Sequence, residues 1–212
     1  MTATPANLLP AVEVRHLGRA GYDPVWQAMR DLTARRDAAA SDEIWLVEHS
    51  PVYTLGVAAR AQHLPRFDNG IPVVKTDRGG QITYHGPGQL VAYLLLDLRR
   101  RALSVRPLVT LMEQAIVNLL AEYNIEATAR RNAPGVYVGN AKVAALGLRI
   151  RRGCCYHGLA LNVDMDLRPF AAIDPCGYPG LAVTQLRDLG VSDGLDTVGA
   201  RLTQHLLQQL NA

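Results

Sequence analysis

Twelve residues near the middle of the chain carry its densest chemistry. They read Arg78-Gly79-Gly80-Gln81-Ile82-Thr83-Tyr84-His85-Gly86-Pro87-Gly88-Gln89. Glycine lets the backbone take positive φ and approach a ligand closely, at an entropic cost. The apolar run Leu90-Val91-Ala92-Tyr93-Leu94-Leu95-Leu96 follows at once. A glycine-rich turn anchored to a buried strand can bring backbone N–H groups, Arg78 and His85 up to a substrate. A Gly-Pro hairpin loop serving geometry alone fits the same residues.

Two later positions bear on nucleophilic chemistry. Cys176 stands in Asp174-Pro175-Cys176-Gly177-Tyr178-Pro179-Gly180, a loop of turn residues. A cysteine on a rigid, exposed loop is a better nucleophile candidate than Cys154 or Cys155, which open a strand and suit buried thiols. A free thiol titrates at about 8.5, so only a few per cent is thiolate at neutral pH, and a nearby cation is needed to raise that share. Each unit of displacement corresponds to about 1.4 kcal/mol, within reach of one partly buried ion pair. The chain has two lysines, Lys75 and Lys142. Lys142 opens the apolar strand Lys142-Val143-Ala144-Ala145-Leu146-Gly147, where desolvation favours the neutral amine and would let it act as a base. A strand-edge charge that discourages aggregation is the alternative reading.

Other chemistries lack their residues. Neither G-x-x-x-x-G-K-[ST] nor a helix-opening G-x-G-x-x-G occurs, and there is no C-x-x-C or H-E-x-x-H. Asn162, Asp164 and Asp166 imitate the start of a calcium loop, but Leu167 stands where glycine is needed and Ile173 where glutamate is needed. No metal is expected. Gly190-Val191-Ser192-Asp193-Gly194 matches the G-x-S-x-G pattern, yet it falls between helical segments, where Ser192 or Asp193 would serve as a cap.

These residues must be held by a fold. With 212 residues, 49% hydrophobic and 19% charged, the chain is expected to form one domain spanning 1–212 with a sizeable core. The net charge of +3 comes with arginine runs at 99–101, 130–131 and 149–152. Most fit solvated faces, and they could steer an acidic protein partner. No aromatic platform accompanies them, so nucleic acid is not expected. Met1 to Pro10 lacks the pattern of a secretory signal. The longest apolar run is too short to span a bilayer. An odd number of cysteines suggests reduced thiols. A cytoplasmic monomer, with no membrane attachment, is the expectation.

The patterns predict strands at Val12–Leu17, Ile44–Glu48 paired with Val52–Leu55 across Ser50-Pro51, Val73–Lys75, Val136–Val138, Val143–Ile150 and Tyr156–Val163. Helices are expected over Pro24–Ala40, with Asp23 as N-cap, and over Val105–Tyr123, between Ser104 and Asn124. Short helices at Val183–Leu189 and Thr197–Leu210 close the chain, with room for a small C-terminal appendage. This order predicts an α/β (α+β) fold, a mixed, largely antiparallel sheet flanked by helices.

Four stretches in register add a resemblance covering about Ile44 to Leu186. They are Arg78-Gly79-Gly80-x-x-Thr83-Tyr84-His85-Gly86-Pro87-Gly88-Gln89, Gly135-Val136-Tyr137-Val138 before Lys142-x-x-Ala145-x-Gly147, His157-Gly158-x-Ala160-x-Asn162-Val163, and Pro175-Cys176-Gly177. Together they closely resemble the lipoyl(octanoyl) transferases. Tyr137 departs from the tryptophan common there, and Cys154-Cys155 lies outside the pattern.

The resemblance implies the biotin/lipoate protein ligase catalytic fold. It implies transfer of octanoyl from the phosphopantetheine of acyl carrier protein to a lysine of lipoyl domains, in 2-oxoacid dehydrogenase and glycine cleavage proteins, without ATP or other cofactor. Cys176 would carry the acyl thioester, and Lys142 would favour its thiolate and serve as acid and base. Arg78, Gly79, Gly80, Gln81, Ile82, Thr83, Tyr84 and His85 would line the acyl and pantetheine pocket. Ala145, Leu146, Gly147, Gly158, Leu159 and Ala160 would form its walls. The alternatives are an ATP-dependent lipoate or biotin ligase, which would not need Cys176, and a non-catalytic acyl- or lipoyl-domain-binding protein.

Overall fold

An apolar run without polar alternation requires cover on both faces, and Leu90–Leu96 has it. The computed structural model describes residues 11–131, 133–174 and 180–211. Its first half runs β1 (Val12–Ala20), α1 (Tyr22–Arg35), β2 (Asp42–His49), β3 (Val52–Leu55), β4 (Val73–Lys75), β5 (Ile82–His85) and β6 (Gln89–Asp97). Then follow α2 (Val105–Glu122), β7 (Thr128–Ala129), β8 (Gly135–Val138), β9 (Ala141–Arg151), β10 (Cys154–Asn162) and α3 (Leu195–Asn211). The main sheet has seven strands in the order β1-β2-β6-β10-β9-β8-β7, and a second sheet has the order β4-β3-β5. In the main sheet only β1 and β2 pair in parallel. The expected mixed, largely antiparallel sheet flanked by helices is the one that forms.

Strand β6 lies between β2 and β10, and its side chains alternate between two cores. Leu90, Ala92, Leu94 and Leu96 join the cluster built with Leu108, Met112, Ile116 and Leu119 of α2 and Val198, Leu202 and Leu206 of α3. Val91, Tyr93 and Leu95 join Val25 and Met29 of α1 on the other face. Burying each such side chain contributes roughly 1.5–3 kcal/mol. Because α3 belongs to the main core, the C-terminal segment is no appendage. Asn124, at φ 57°, ends α2 as its residue type suggests.

Three local expectations are corrected. β2 and β3 do not pair: after Pro51 the chain leaves for the second sheet, where β3 pairs with β4 and β5. Helix α1 starts at Tyr22 with Gly21 as N-cap, so Asp23 sits in the first turn, and it stops at Arg35 rather than Ala40. The residue that leaves the helix, Arg36, is drawn to Asp42 (2.9 Å) and to the Leu95 carbonyl (2.7 Å). Val183–Leu189 is not a helix, since Val183 bridges to Lys142 in parallel and only Arg187–Leu189 makes a 3₁₀ turn. Among the described residues, no helix is long and apolar enough to cross a membrane.

The buried carboxylate of Asp42 gathers the guanidinium groups of Arg36, Arg100 and Arg101, and it also accepts the Asp97 N–H at 2.8 Å. Arg100 and Arg101, expected on a solvated face, are thereby turned inward. This cluster ties the end of α1, the start of β2 and the end of β6 together. Removing one member of a buried ion cluster leaves the others uncompensated. Asp42→Ala is therefore expected to lower the unfolding free energy by about 3–5 kcal/mol, read from urea titrations. A loss under about 1 kcal/mol would mean that water replaces the carboxylate freely.

Candidate active site

Part of the glycine-rich stretch is not a loop. Ile82–His85 forms β5, antiparallel to β3, and Gln89 opens β6, so only residues 78–81 and 86–88 turn. Arg78, itself buried, holds the first turn closed. Its Nε and Nη2 donate to Thr54 Oγ1 (3.1 and 2.9 Å), Nη2 also reaches the carbonyls of Thr54 (2.6 Å) and Gln81 (2.9 Å), and Nη1 reaches the Gly79 carbonyl (2.9 Å).

A file of hydrogen bonds continues from there. Gln89 Oε1 accepts from His85 Nδ1 (2.7 Å), which leaves His85 Nε2 to accept from the Thr54 hydroxyl (3.3 Å). Gln89 Nε2 donates to Asn162 Oδ1 (2.9 Å), and Asn162 Nδ2 donates to the Thr184 carbonyl (2.9 Å). The Thr184 N–H in turn donates to the Lys142 carbonyl (3.0 Å). The signature residues of three separate stretches thus form one connected line.

A cavity opens between β5, β9, β10, β6 and the start of α1, enclosing about 500 Å3 with the solvent at its mouth included. Every residue named for the pocket lines it except Gly79 and Tyr84. Gly79 instead donates its N–H to the Leu148 carbonyl (2.9 Å), joining the two walls. Tyr84 faces the other side of β5 and packs its ring against Tyr53 and Phe170, at 5.6 and 5.5 Å. Gly158 is required by close approach, because a Cβ there would lie 2.1 Å from the Ala92 carbonyl oxygen.

The mouth and the floor differ in burial. Gly80 is exposed and Gln81, Thr83 and Ala145–Gly147 are half-buried, whereas Tyr22, His85, Val91, Tyr93 and His157 are buried. Four of these floor residues, Tyr22, Val91, Tyr93 and His157, are not assigned to the site by sequence. Val91 and Tyr93 sit in an apolar run that reads as core, and Tyr22 falls before the expected helix. His157 belongs to a signature stretch, and its backbone is left-handed (φ 64°), an uncommon state for a residue other than glycine.

The polar ends of the Tyr93 and His157 side chains point backward into hydrogen bonds, while the buried Tyr22 hydroxyl has no partner among the described residues. His49 gives its Nδ1–H to the Ala20 carbonyl (3.1 Å), so its Nε2 accepts the Tyr93 hydroxyl (2.8 Å). His157 Nε2 donates to Asp77 (3.1 Å), whose carboxylate also accepts Trp26 Nε1 (3.0 Å) and the Tyr156 hydroxyl. Burial alone would raise the Asp77 carboxyl, but the bonds from His157, Tyr156 and Trp26 hold it well below the usual carboxylate range. Burial lowers His49 to about 4, and burial assisted by the neighbouring His49 lowers His85 to about 3. His157 is lowered as well, burial outweighing the pull of Asp77. The three histidines at the floor are therefore neutral at neutral pH.

Lys142 is buried beside this cavity. A smaller cavity that it lines shares Thr83 and Ala145 with the larger one. Its Nζ donates to the Pro134 carbonyl (3.1 Å) and lies 5.2 Å from the centre of the Tyr137 ring. Gly135, at φ +143°, leaves the ammonium its room: a Cβ there would come within 2.9 Å of Lys142 Cε and 3.1 Å of Nζ. Cys176 lies outside the described residues. The described chain before it ends at Asp174, paired with Arg66 (2.7 Å), and the chain after it runs beside Lys142, whose N–H donates to the Ala182 carbonyl (2.8 Å). Among the described residues, no group of three His, Cys, Asp or Glu side chains is placed to hold a metal.

Residues 22–207 match the lipoyl protein ligase A/B catalytic domain. The chain is 64% identical over 197 residues to the octanoyltransferase of Azoarcus sp. (strain BH72), covering 93% of this chain and 87% of that one. The octanoyltransferase of Dechloromonas aromatica (strain RCB) is 62% identical over 198 residues, covering 93% and 96%. Among solved structures, a T. acidophilum protein described as a lipoate protein ligase, with bound lipoic acid, superposes with a TM-score of 0.73. Its identity is 18%, over 93% of this chain and 86% of that one. Lipoate-protein ligase A bound with ATP gives 0.72 at 18% identity, over 93% and 85%. These two likenesses concern the fold.

The buried histidines make stability depend on pH. Their folded values lie below the ordinary 6.5. Between pH 6.5 and about 4 the unfolded chain therefore binds more protons than the folded one, and stability falls as pH is lowered. Asp77, also displaced downward, adds a further loss below its ordinary value of 3.8. Urea midpoints are expected to drop clearly from pH 7 to pH 4.5, and equal midpoints would contradict a neutral, buried floor.

Proposed function

Because the chain belongs to the lipoyl protein ligase A/B catalytic-domain family and, within it, to the octanoyltransferases, we propose that this acyltransferase moves octanoyl from acyl carrier protein to a lipoyl-domain lysine through a thioester on Cys176. The observation that carries the reading is the buried Lys142 amine in a small cavity that shares Thr83 and Ala145 with the larger, mostly apolar one. Its backbone pairs with the strand-like residues that follow the Cys176 segment. A buried amine in this place can exchange protons with a sulfur nucleophile.

In the first half-reaction the Cys176 sulfur attacks the carbonyl of the carrier thioester. The carrier's carbon–sulfur bond breaks, and its departing thiolate takes a proton from the Lys142 ammonium. In the second, a neutral acceptor lysine attacks the Cys176 thioester. The cysteine carbon–sulfur bond breaks, and the attacking nitrogen gives a proton back to Lys142. Exchange between thioesters is nearly isoenergetic and formation of the amide is downhill, so the cycle as proposed uses no ATP.

The donor is an acidic carrier and the acceptors are the lipoyl domains of 2-oxoacid dehydrogenase and glycine cleavage proteins. Arg149 and Arg151, at the end of β9, and Arg152, in the turn after it, are exposed beyond the mouth of the cavity, where they can steer an acidic donor. Reversing all three charges is expected to slow association with the carrier at least 10-fold at low salt, measured by stopped-flow. An unchanged, salt-independent rate would remove this patch from the docking face.

Intact mass spectrometry after mixing the protein with octanoyl-acyl carrier protein, without ATP, tests the chemistry. One hydroxylamine-labile octanoyl adduct is expected, absent from Cys176→Ala and formed roughly 10²–10⁴-fold more slowly by Lys142→Ala. Transfer that requires ATP and free octanoate would make the protein a ligase instead.

A further inference from the structure

We propose that Tyr93 and His157 form a rigid end stop that sets the longest acyl chain the enzyme accepts. This rests on the acyl-transfer reading above and concerns the same cavity. The reacting end is fixed by Thr83 and Ala145, which line both this cavity and the one at Lys142. From there the strand register orders the walls. Ala145 stands opposite Ala160, and Ala160 opposite Val91; two residues further on, Gly147 stands opposite Gly158, and Gly158 opposite Tyr93. The second rung lies roughly 7 Å beyond the first, at about 3.3–3.4 Å per residue. Its two glycines leave the passage without side chains on β9 and β10. An alkyl chain anchored near Lys142 therefore runs past Val91 and meets Tyr93, then His157.

Both stops are pinned from behind. The Tyr93 hydroxyl is held by His49 (2.8 Å) and His157 Nε2 by Asp77 (3.1 Å). Their polar atoms are thus turned away from the chain end, and ring surface faces it. The His157 ring stacks on Tyr156 at 5.0 Å and meets Tyr93 edge-on at 6.0 Å, so neither ring can turn aside without losing a partner. A packed, hydrogen-bonded wall of this kind cannot move to admit further methylenes. Its left-handed backbone at His157 (φ 64°) is strain retained in the place where the stop is needed.

The test compares single-turnover transfer from hexanoyl-, octanoyl-, decanoyl- and dodecanoyl-acyl carrier protein by the full-length protein. Wild type is expected to fall off sharply beyond the length that reaches the wall. Tyr93→Ala removes the ring, and His157→Gly removes the second ring while relieving the backbone. In each, the rate for dodecanoyl relative to octanoyl is expected to rise at least 10-fold, the order of discrimination that one or two methylenes confer in an apolar pocket. Should Tyr93→Ala fail to fold, His157→Gly decides alone. A folded variant with the wild-type length profile overturns the end stop. Wild type that transfers no acyl group of any length overturns the acyl-transfer reading instead, so the two failures are distinct.

Discussion

The site depends on a single file of hydrogen bonds that starts at Arg78 and reaches the backbone of Lys142. Each member donates in one direction: Arg78 to Thr54, Thr54 to His85, His85 to Gln89, Gln89 to Asn162, Asn162 to the Thr184 carbonyl, and the Thr184 N–H to Lys142. A neutral imidazole has one donor and one acceptor, so the file fixes the His85 tautomer from both sides. Protonating His85 would set two donors face to face at Thr54 or Gln89, and its burial already opposes the charge. Because the links from Arg78 to Asn162 are buried, losing any one of them leaves a neighbour unsatisfied at a cost of about 1–3 kcal/mol. The second sheet, the central strand β6 and the residues after the Cys176 segment are held in one geometry by these bonds.

The two basic groups of the pocket have different tasks. Arg78 gives its donors to carbonyls and a hydroxyl of the turn it closes, so its charge is spent on shape, and the cavity beside it can remain apolar. Lys142 retains a compact, rotatable ammonium, the kind of group that can lose and regain a proton. The room for it comes from Gly135, whose missing side chain is worth more there than any packing it could supply.

How much of this was legible in the chain varies with the range of the interactions. Helix α2 is apparent because its apolar stripe is local and meets no competing contact. The stretch from Arg78 to Gln89 stands out because glycines and polar residues rarely precede so apolar a strand. The end of α1 is not legible, since Arg36 leaves helix geometry for Asp42 and for Leu95, a partner 59 positions away. The same carboxylate hides the burial of Arg100 and Arg101, as charged residues go inside only where a distant partner meets them. Ser50-Pro51 reads equally as a hairpin corner or as an exit to another sheet, and only the pairing with β4 and β5 decides. In the site, the walls are legible as signature residues. Val91 and Tyr93 are not, because a floor residue of an apolar cavity has the same composition as core.

That last ambiguity explains how one scaffold can hold ligases and transferases alike. The fold supplies a sheet with a deep apolar slot, and fold alone does not choose the reaction. The choice lies in what stands at the mouth. An enzyme that activates a free acid must hold a nucleotide and an acyl-adenylate, whereas one that receives a thioester needs only a sulfur acceptor and a group that moves a proton twice. Here the small cavity of Lys142 adjoins the larger one at Thr83 and Ala145, and the residues flanking the Cys176 segment are tied to Arg66 on one side and to Lys142 on the other. If the acyl group arrives activated, as proposed, the protein's remaining contribution would be to measure its chain and keep one amine close to the reacting carbonyl. The floor and the hydrogen-bonded file are suited to those two tasks.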